Sequence, residues 1–256
     1  MTAKTRKHHG NFIAGRLRAG YRCAVRSAVP AWLTDAASVA YLRFGPECVG
    51  CGRRDNALLC GVCRRRSRFG LGRPIDLACL QSRGSAVRTL AQYRVGDTTT
   101  PVGLALGRFK FAGDRWSGRR LARLFGKHAA ALVPQPSVIV PVPAAPERLA
   151  ARGFDTAGWL GRGLARAAGV GVRPMALARR PLGGAQVGRS RAARLRAARA
   201  AFVARQPLAG SVVLVDDVVT TGATLAACAD AAFTTGASAV TAIALLHVPE
   251  RQRRPR

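Results

Sequence analysis

Apolar positions follow two patterns along the chain. Before Pro134 they recur mostly at helical spacing. Residues 31–44 carry Trp32, Leu33, Ala36, Val39, Ala40 and Leu42 as one helical stripe. Residues 101–132 carry Leu104, Phe109, Leu121, Leu124 and Phe125, with Gly113 expected to break the pattern into two helices. Between them, residues 86–95 alternate as a strand and Gly96-Asp97 reads as a turn. Beyond Pro134 and Pro136 the apolar runs become short, unbroken and β-branched. Residues 137–142 (SVIVPV), 211–215 (SVVLV) and 238–248 read as three buried strands. Helices are expected between them at 155–168, ended by Gly169, at 189–201, and at 224–233, stopped near Gly236. Strands alternating with helices predict an α/β fold with a mainly parallel sheet. No internal repeat and no heptad pattern is present.

Charge sharpens this picture. The 256 residues include 42 Lys and Arg against 12 Asp and Glu, a net charge of +30. Such a chain is not an acidic solvating protein, and its partner is expected to be anionic: a phosphorylated substrate, nucleic acid or a membrane surface. An arginine-for-lysine habit across the whole chain also fits genome composition. Residues 151–210 hold 12 basic residues and one acid, whereas 211–256 hold four of each. An anion site is therefore sought near 151–210. Residues 1–45 read as a basic arm or helix. No apolar segment follows the basic N-terminus as a signal peptide requires. The uncharged stretches 128–146 and 231–249 are broken by five prolines and by Thr234-Thr235-Gly236, so no membrane span is expected. Seven cysteines, odd in number with four in two close pairs, suit a reducing cytoplasmic compartment better than a disulfide scaffold.

Those four form the first chemical constellation, a small module over residues 46–68. Cys48-x-x-Cys51 and Cys60-x-x-Cys63 are two knuckles, each able to put two thiolates on one ion. Four thiolates close a tetrahedral site, which points to structural Zn²⁺. Redox pairs, free thiols or an iron–sulfur cluster are the alternative readings. Cys23, Cys79 and Cys228 are expected to be apolar fillers or incidental thiols.

The second constellation is residues 212–224, VVLVDDVVTTGAT. A buried strand is followed by Asp216 and Asp217, then by Thr220-Thr221-Gly222-Ala223-Thr224 opening a helix. Backbone N–H groups and hydroxyls feeding a helix N-terminus make an anion cradle. Two acids would repel a phosphate but suit sugar hydroxyls. The string therefore fits a phosphorylated ribose; the plain alternative is a solvated turn at a strand end.

This string resembles the phosphoribosyl-pyrophosphate (PRPP) motif of type I phosphoribosyltransferases. Over residues 46–248 the chain resembles the ComF family, phosphoribosyltransferase-like proteins associated with DNA uptake. The resemblance also rests on the cysteine module, on Phe109-Lys110-Phe111, on Val140-Pro141-Val142-Pro143 followed by Arg148 and Arg152-Gly153-Phe154, and on Gln186, Ser190, Arg194 and Phe202. The chain departs from the family at Asp155, where Asn is usual.

The resemblance implies a type I phosphoribosyltransferase-like domain over 84–250 that binds PRPP with Mg²⁺. In that reading Asp216 and Asp217 hold the ribose hydroxyls, and residues 220–224 hold the 5′-phosphate. Arg148, Arg152 and Lys110 neutralise the leaving pyrophosphate. It implies phosphoribosyl transfer to an unidentified acceptor. The alternative is a non-catalytic protein that binds single-stranded DNA or assists competence proteins. That alternative draws on Arg189, Arg191, Arg194, Arg196 and Arg199.

Overall fold

A computed structural model describes residues 47–70, 72–81, 84–92, 100–180 and 201–249. The expected stripe at 31–44, Gln186, Ser190, Arg194 and the arginine-rich helix at 189–201 lie outside the described residues, apart from Ala201.

Among the described residues there are eight strands: β1 Arg73–Pro74, β2 Ala86–Gln92, β3 Val138–Pro141, β4 Gly171–Val172, β5 Leu177–Arg179, β6 Phe202–Ala204, β7 Gly210–Val219 and β8 Ala237–His247. The α-helices are α1 Gly61–Arg66, α2 Ala78–Gln81, α3 Pro101–Ala112, α4 Arg115–Ala129, α5 Pro146–Arg152, α6 Thr156–Ala168 and α7 Ala223–Phe233. The main sheet has the order β1-β2-β8-β7-β3-β4. Its last five strands are parallel, and β1 pairs antiparallel at the edge. β5 and β6 form a separate antiparallel pair. The α/β expectation with a mainly parallel sheet is thus met.

Strand alternation sorts the core into two layers. Ile139, Val213, Val215, Ile243 and Leu245 face a layer with α3, α4 and α6. Val140, Val212, Leu214, Ala242 and Ala244 face α7 and the β5–β6 pair. Cys48, Leu58, Leu59, Cys60 and Cys63 share the first layer with Leu90 and Phe125. The cysteine module is therefore part of the main core.

The expected break at Gly113 is present. Gly113 ends α3 in the left-handed region at φ 66°, and Asp114 then caps α4 by accepting from the Ser117 N–H at 2.9 Å. Gly169 ends α6 likewise at φ 69°. One strand differs from expectation. The run at 211–215 continues to Val219, because Val218 and Val219 stay paired with Leu246 and His247 of β8. Asp216 and Asp217 therefore lie inside β7, not after it.

The connection leaving β3 runs through α5 and α6 to β4. The connection leaving β7 runs through α7 to β8, on the other side and the other face. Adjacent strands whose connections diverge open a crevice at their carboxyl ends, where open α/β sheets take ligands.

The helices over this crevice pack closely. A Cβ on Gly163 of α6 would strike the carbonyl oxygen of Ala122 on α4. Alanine gains about 1 kcal/mol of helix propensity over glycine. A neighbouring backbone cannot swing away, and overpacking of this kind costs about 1–3 kcal/mol. Gly163→Ala is therefore expected to lower the urea midpoint, with a net loss of up to about 2 kcal/mol.

Candidate functional site

The crevice gathers residues from three elements. β7 is bonded on one flank to β3 and on the other to β8. Its alternation continues through the acids. Asp217 follows Val213 and Val215 toward the α3 layer, and Asp216 follows Val212 and Leu214 toward the α7 layer. Two neighbours in sequence thus serve opposite faces of the sheet.

Asp217 is met by Lys110, from the last turn of α3, with Nζ 2.7 Å from Oδ1 and both side chains largely buried. Arg152, the last residue of α5, lies within the field of Asp217. Burial lowers the Arg152 guanidinium, Asp217 opposes that shift, and Arg148 adds to it. Arg152 also lies over the Phe111 ring, 5.4 Å from its centroid. Phe109 stacks on Phe154 at 4.5 Å and meets Trp159 at 5.2 Å. The two aromatics flanking Lys110 therefore tie α3 to Phe154 and Arg152. Arg148 is exposed on α5.

Among the described residues Asp216 has no such ion pair. Its Oδ1 accepts the Asp217 N–H at 2.8 Å. Burial and then the Asp217 charge raise its carboxyl to about 8, against the lowering effect of that N–H and of Lys110. Burial also raises Asp155, at the N-cap of α6. The Gly158 N–H opposes that shift and Asp217 adds to it. Asp155 is a site residue that the sequence marks only as an unusual carboxyl after Phe154.

The threonine-glycine loop follows β7. Thr220, Thr221, Ala223 and Thr224 are exposed, and no acid lies in the first turn of α7. Thr221 Oγ1 accepts from the Ala223 N–H at 3.4 Å. Gly222 is buried at φ 75°, and a Cβ there would lie 2.6 Å from Leu77 Cδ1 and 3.3 Å from Cys79 Sγ. Cys79 also donates from Sγ to the Thr221 carbonyl at 3.5 Å. Two demands thus require glycine at 222: a left-handed backbone and the close approach of Leu77. Cys79 braces this loop, whereas Cys228 is the apolar filler expected, fully buried in α7.

The four cysteines of the N-terminal module come together. Their sulfurs all lie within 4.8 Å of one another, with Cys51 alone exposed. Tetrahedral Zn–S bonds of about 2.3 Å place sulfurs about 3.8 Å apart; Cys51 and Cys60 Sγ are 3.7 Å apart. Cys48 Sγ accepts the Cys60 N–H at 3.2 Å, and Cys60 Sγ accepts the Cys63 N–H at 3.5 Å. The Cys63 N–H bond, against the effect of burial, lowers Cys60 to about 7, while burial raises Cys63. Donated N–H groups and the N-terminus of α1 suit thiolate ligands. The set can hold a metal ion and fits structural zinc. Among the described residues it is the one such cluster of three or more His, Cys, Asp or Glu side chains. Among the described residues the carboxylates of the crevice form no comparable cluster.

Among the described residues no helix is long and apolar enough to cross a membrane. No family model matches the chain, and no curated protein matches it.

The Asp216 shift fixes a pH dependence. The fold favours the protonated carboxyl, so this stability is full below the unfolded value near 4 and is lost as pH rises toward 8. Urea midpoints of the wild type are expected to fall over that window. Asp216→Asn, which cannot ionise, is expected to fall less steeply.

Proposed function

We propose that this chain is a PRPP-binding, phosphoribosyltransferase-like protein of the ComF kind that transfers phosphoribosyl to an unidentified acceptor. The observation that carries the reading is the Lys110–Asp217 pair at 2.7 Å. Lys110 came from an aromatic-Lys-aromatic string and Asp217 from the acidic pair; only the resemblance joined them, and they meet at a sheet crevice suited to ligands.

In this reading Asp216 and Asp217 accept hydrogen bonds from the ribose hydroxyls. The 220–224 loop and the N-terminus of α7 hold the 5′-phosphate. Asp217 engages one face of the Lys110 ammonium, which has three N–H donors. The remaining donors, with Arg152 and Arg148, face the pyrophosphate. A nitrogen nucleophile attacks C1 of the ribose as the bond to pyrophosphate breaks, and the pyrophosphate leaves with the electron pair. Positive charge grows on the sugar ring and negative charge on the leaving group. Fixed cations and carboxylates on either side stabilise that separation. Mg²⁺ bound to the pyrophosphate would supply further charge neutralisation. The cysteine cluster holds zinc as a structural centre in the same reading.

Calorimetric titration of PRPP with Mg²⁺ into zinc-loaded protein tests this. Saturable binding is expected, with affinity reduced at least about tenfold in Asp216→Asn/Asp217→Asn, since the hydrogen bond to the charged Asp217 carboxylate contributes about 1.5–3 kcal/mol. Absence of binding to folded wild-type protein would refute the reading.

One observation favours the second reading, a single-stranded-DNA-binding accessory protein. Arg115, Arg119, Arg123 and Lys127 are all exposed on α4 at four-residue spacing. They form a row with steps of about 6 Å, suited to a run of backbone phosphates. Fluorescence anisotropy with an oligodeoxythymidine over a salt series tests it. Arg119→Ala/Arg123→Ala is expected to reduce the log–log salt slope by about 1.4, from about 0.7 per lost phosphate contact. An unchanged slope would remove α4 from any DNA surface.

A further inference from the structure

α3 joins the two constellations. At its N-terminal end the Val102 N–H donates to Ser67 Oγ at 3.3 Å, and Ser67 is buried, only 3% exposed. Thr100, in the N-cap position, makes no side-chain capping bond. Ser67 itself follows α1, and its N–H donates to the Cys63 carbonyl at 3.0 Å. Pro101 rests on the first knuckle: a Cβ on Gly50 would lie 2.6 Å from Pro101 Cβ and 2.8 Å from Cys63 Sγ. The seat of α3 is therefore built from the cysteine module. Eight residues on, about 12 Å along the helix axis, Lys110 holds Asp217 at 2.7 Å.

We propose that Ser67 is a positioning residue for the crevice: through α3 it registers Lys110 on the geometry of the cysteine cluster. The hydrogen-bonded ladder of a helix passes an axial shift along its length. Lys110 has little slack to absorb one. Its side chain is 13% exposed, and its neighbours Phe109 and Phe111 are engaged by Phe154 and Arg152. A cation on the four sulfurs would fix the Gly50 knuckle relative to α1. It would thereby fix the seats of both Pro101 and Val102. The inference needs no ligand at the crevice, so it stands or falls apart from the phosphoribosyl reading.

Lysine acylation reads it directly. The chain has four lysines, and Lys127 is exposed on α4 as an internal reference. Zinc-loaded protein is treated with an N-hydroxysuccinimide ester, and the ratio of Lys110 to Lys127 acylation is followed by peptide mass spectrometry. A low ratio is expected in the wild type. Asp217→Asn removes the ion pair and sets the ceiling. Ser67→Ala is expected to raise the ratio about threefold or more, as fits loss of one buried hydrogen bond. Ser67→Thr, which keeps the hydroxyl, is expected to restore it. Pro101→Ala tests the same seat without touching Ser67 and is expected to raise the ratio as well. Chelation of zinc from the wild type is expected to do the same with the far-UV circular dichroism unchanged. Should chelation unfold the chain, the Ser67 and Pro101 variants, which keep all four cysteines, decide. A wild-type ratio in both variants would overturn the proposal. So would a ratio in Asp217→Asn no higher than wild type, because the ion pair would then not be what shields Lys110.

Discussion

β7 is bonded to β8 along its whole length and to β3 up to Val215, just before the two acids, and the crevice depends on that restraint. A strand held by β3 on one side and β8 on the other cannot rotate without breaking a ladder. Asp216 and Asp217 are consequently fixed toward opposite layers of the molecule. One is answered by Lys110 from the α3 layer. The other is raised to about 8 by burial and by its neighbour's charge. The asymmetry between two adjacent carboxylates is a product of strand geometry, not of their identity.

The charges around the crevice tilt toward cations. With Asp216 protonated, Asp217 and Asp155 stand against Lys110, Arg152 and Arg148, and burial favours the neutral form of Asp155 too. Burying the Lys110–Asp217 pair costs desolvation that its attraction only partly repays, so the pair is weak evidence for stability. Its geometry matters more: it keeps one ammonium at the mouth of the sheet. The aromatic supports around Phe109, Phe111 and Phe154 hold both Lys110 and Arg152 from behind.

Much of this was legible in the chain. β-branched runs betrayed the central strands, and Gly113 and Gly169 marked helix ends because a left-handed residue there needs no Cβ. The two C-x-x-C pairs announced one ion site through spacing alone. The length of β7 was not legible, because aspartates discourage a strand reading and only pairing with β8 carries the strand past them. Leu77, Cys79 and Ser67 gave no local signal. Their importance arises from contacts with residues far away in sequence, and nothing in their own neighbourhood encodes those contacts. Asp155 was visible only as a departure from a resemblance.

The cysteine module looks like a cassette in the sequence, with its own ligands and a compact span. The packed core contradicts that appearance. Leu58 and Leu59 are buried in the same layer as Leu90, Phe125 and Leu160, and the Cys63 carbonyl accepts from Ser67 in the seat of α3. Excising the module would open the floor under the helices as well as remove a metal site. Grafting it elsewhere would leave its own leucines exposed. Recombination at its borders would therefore be expected to leave few viable descendants.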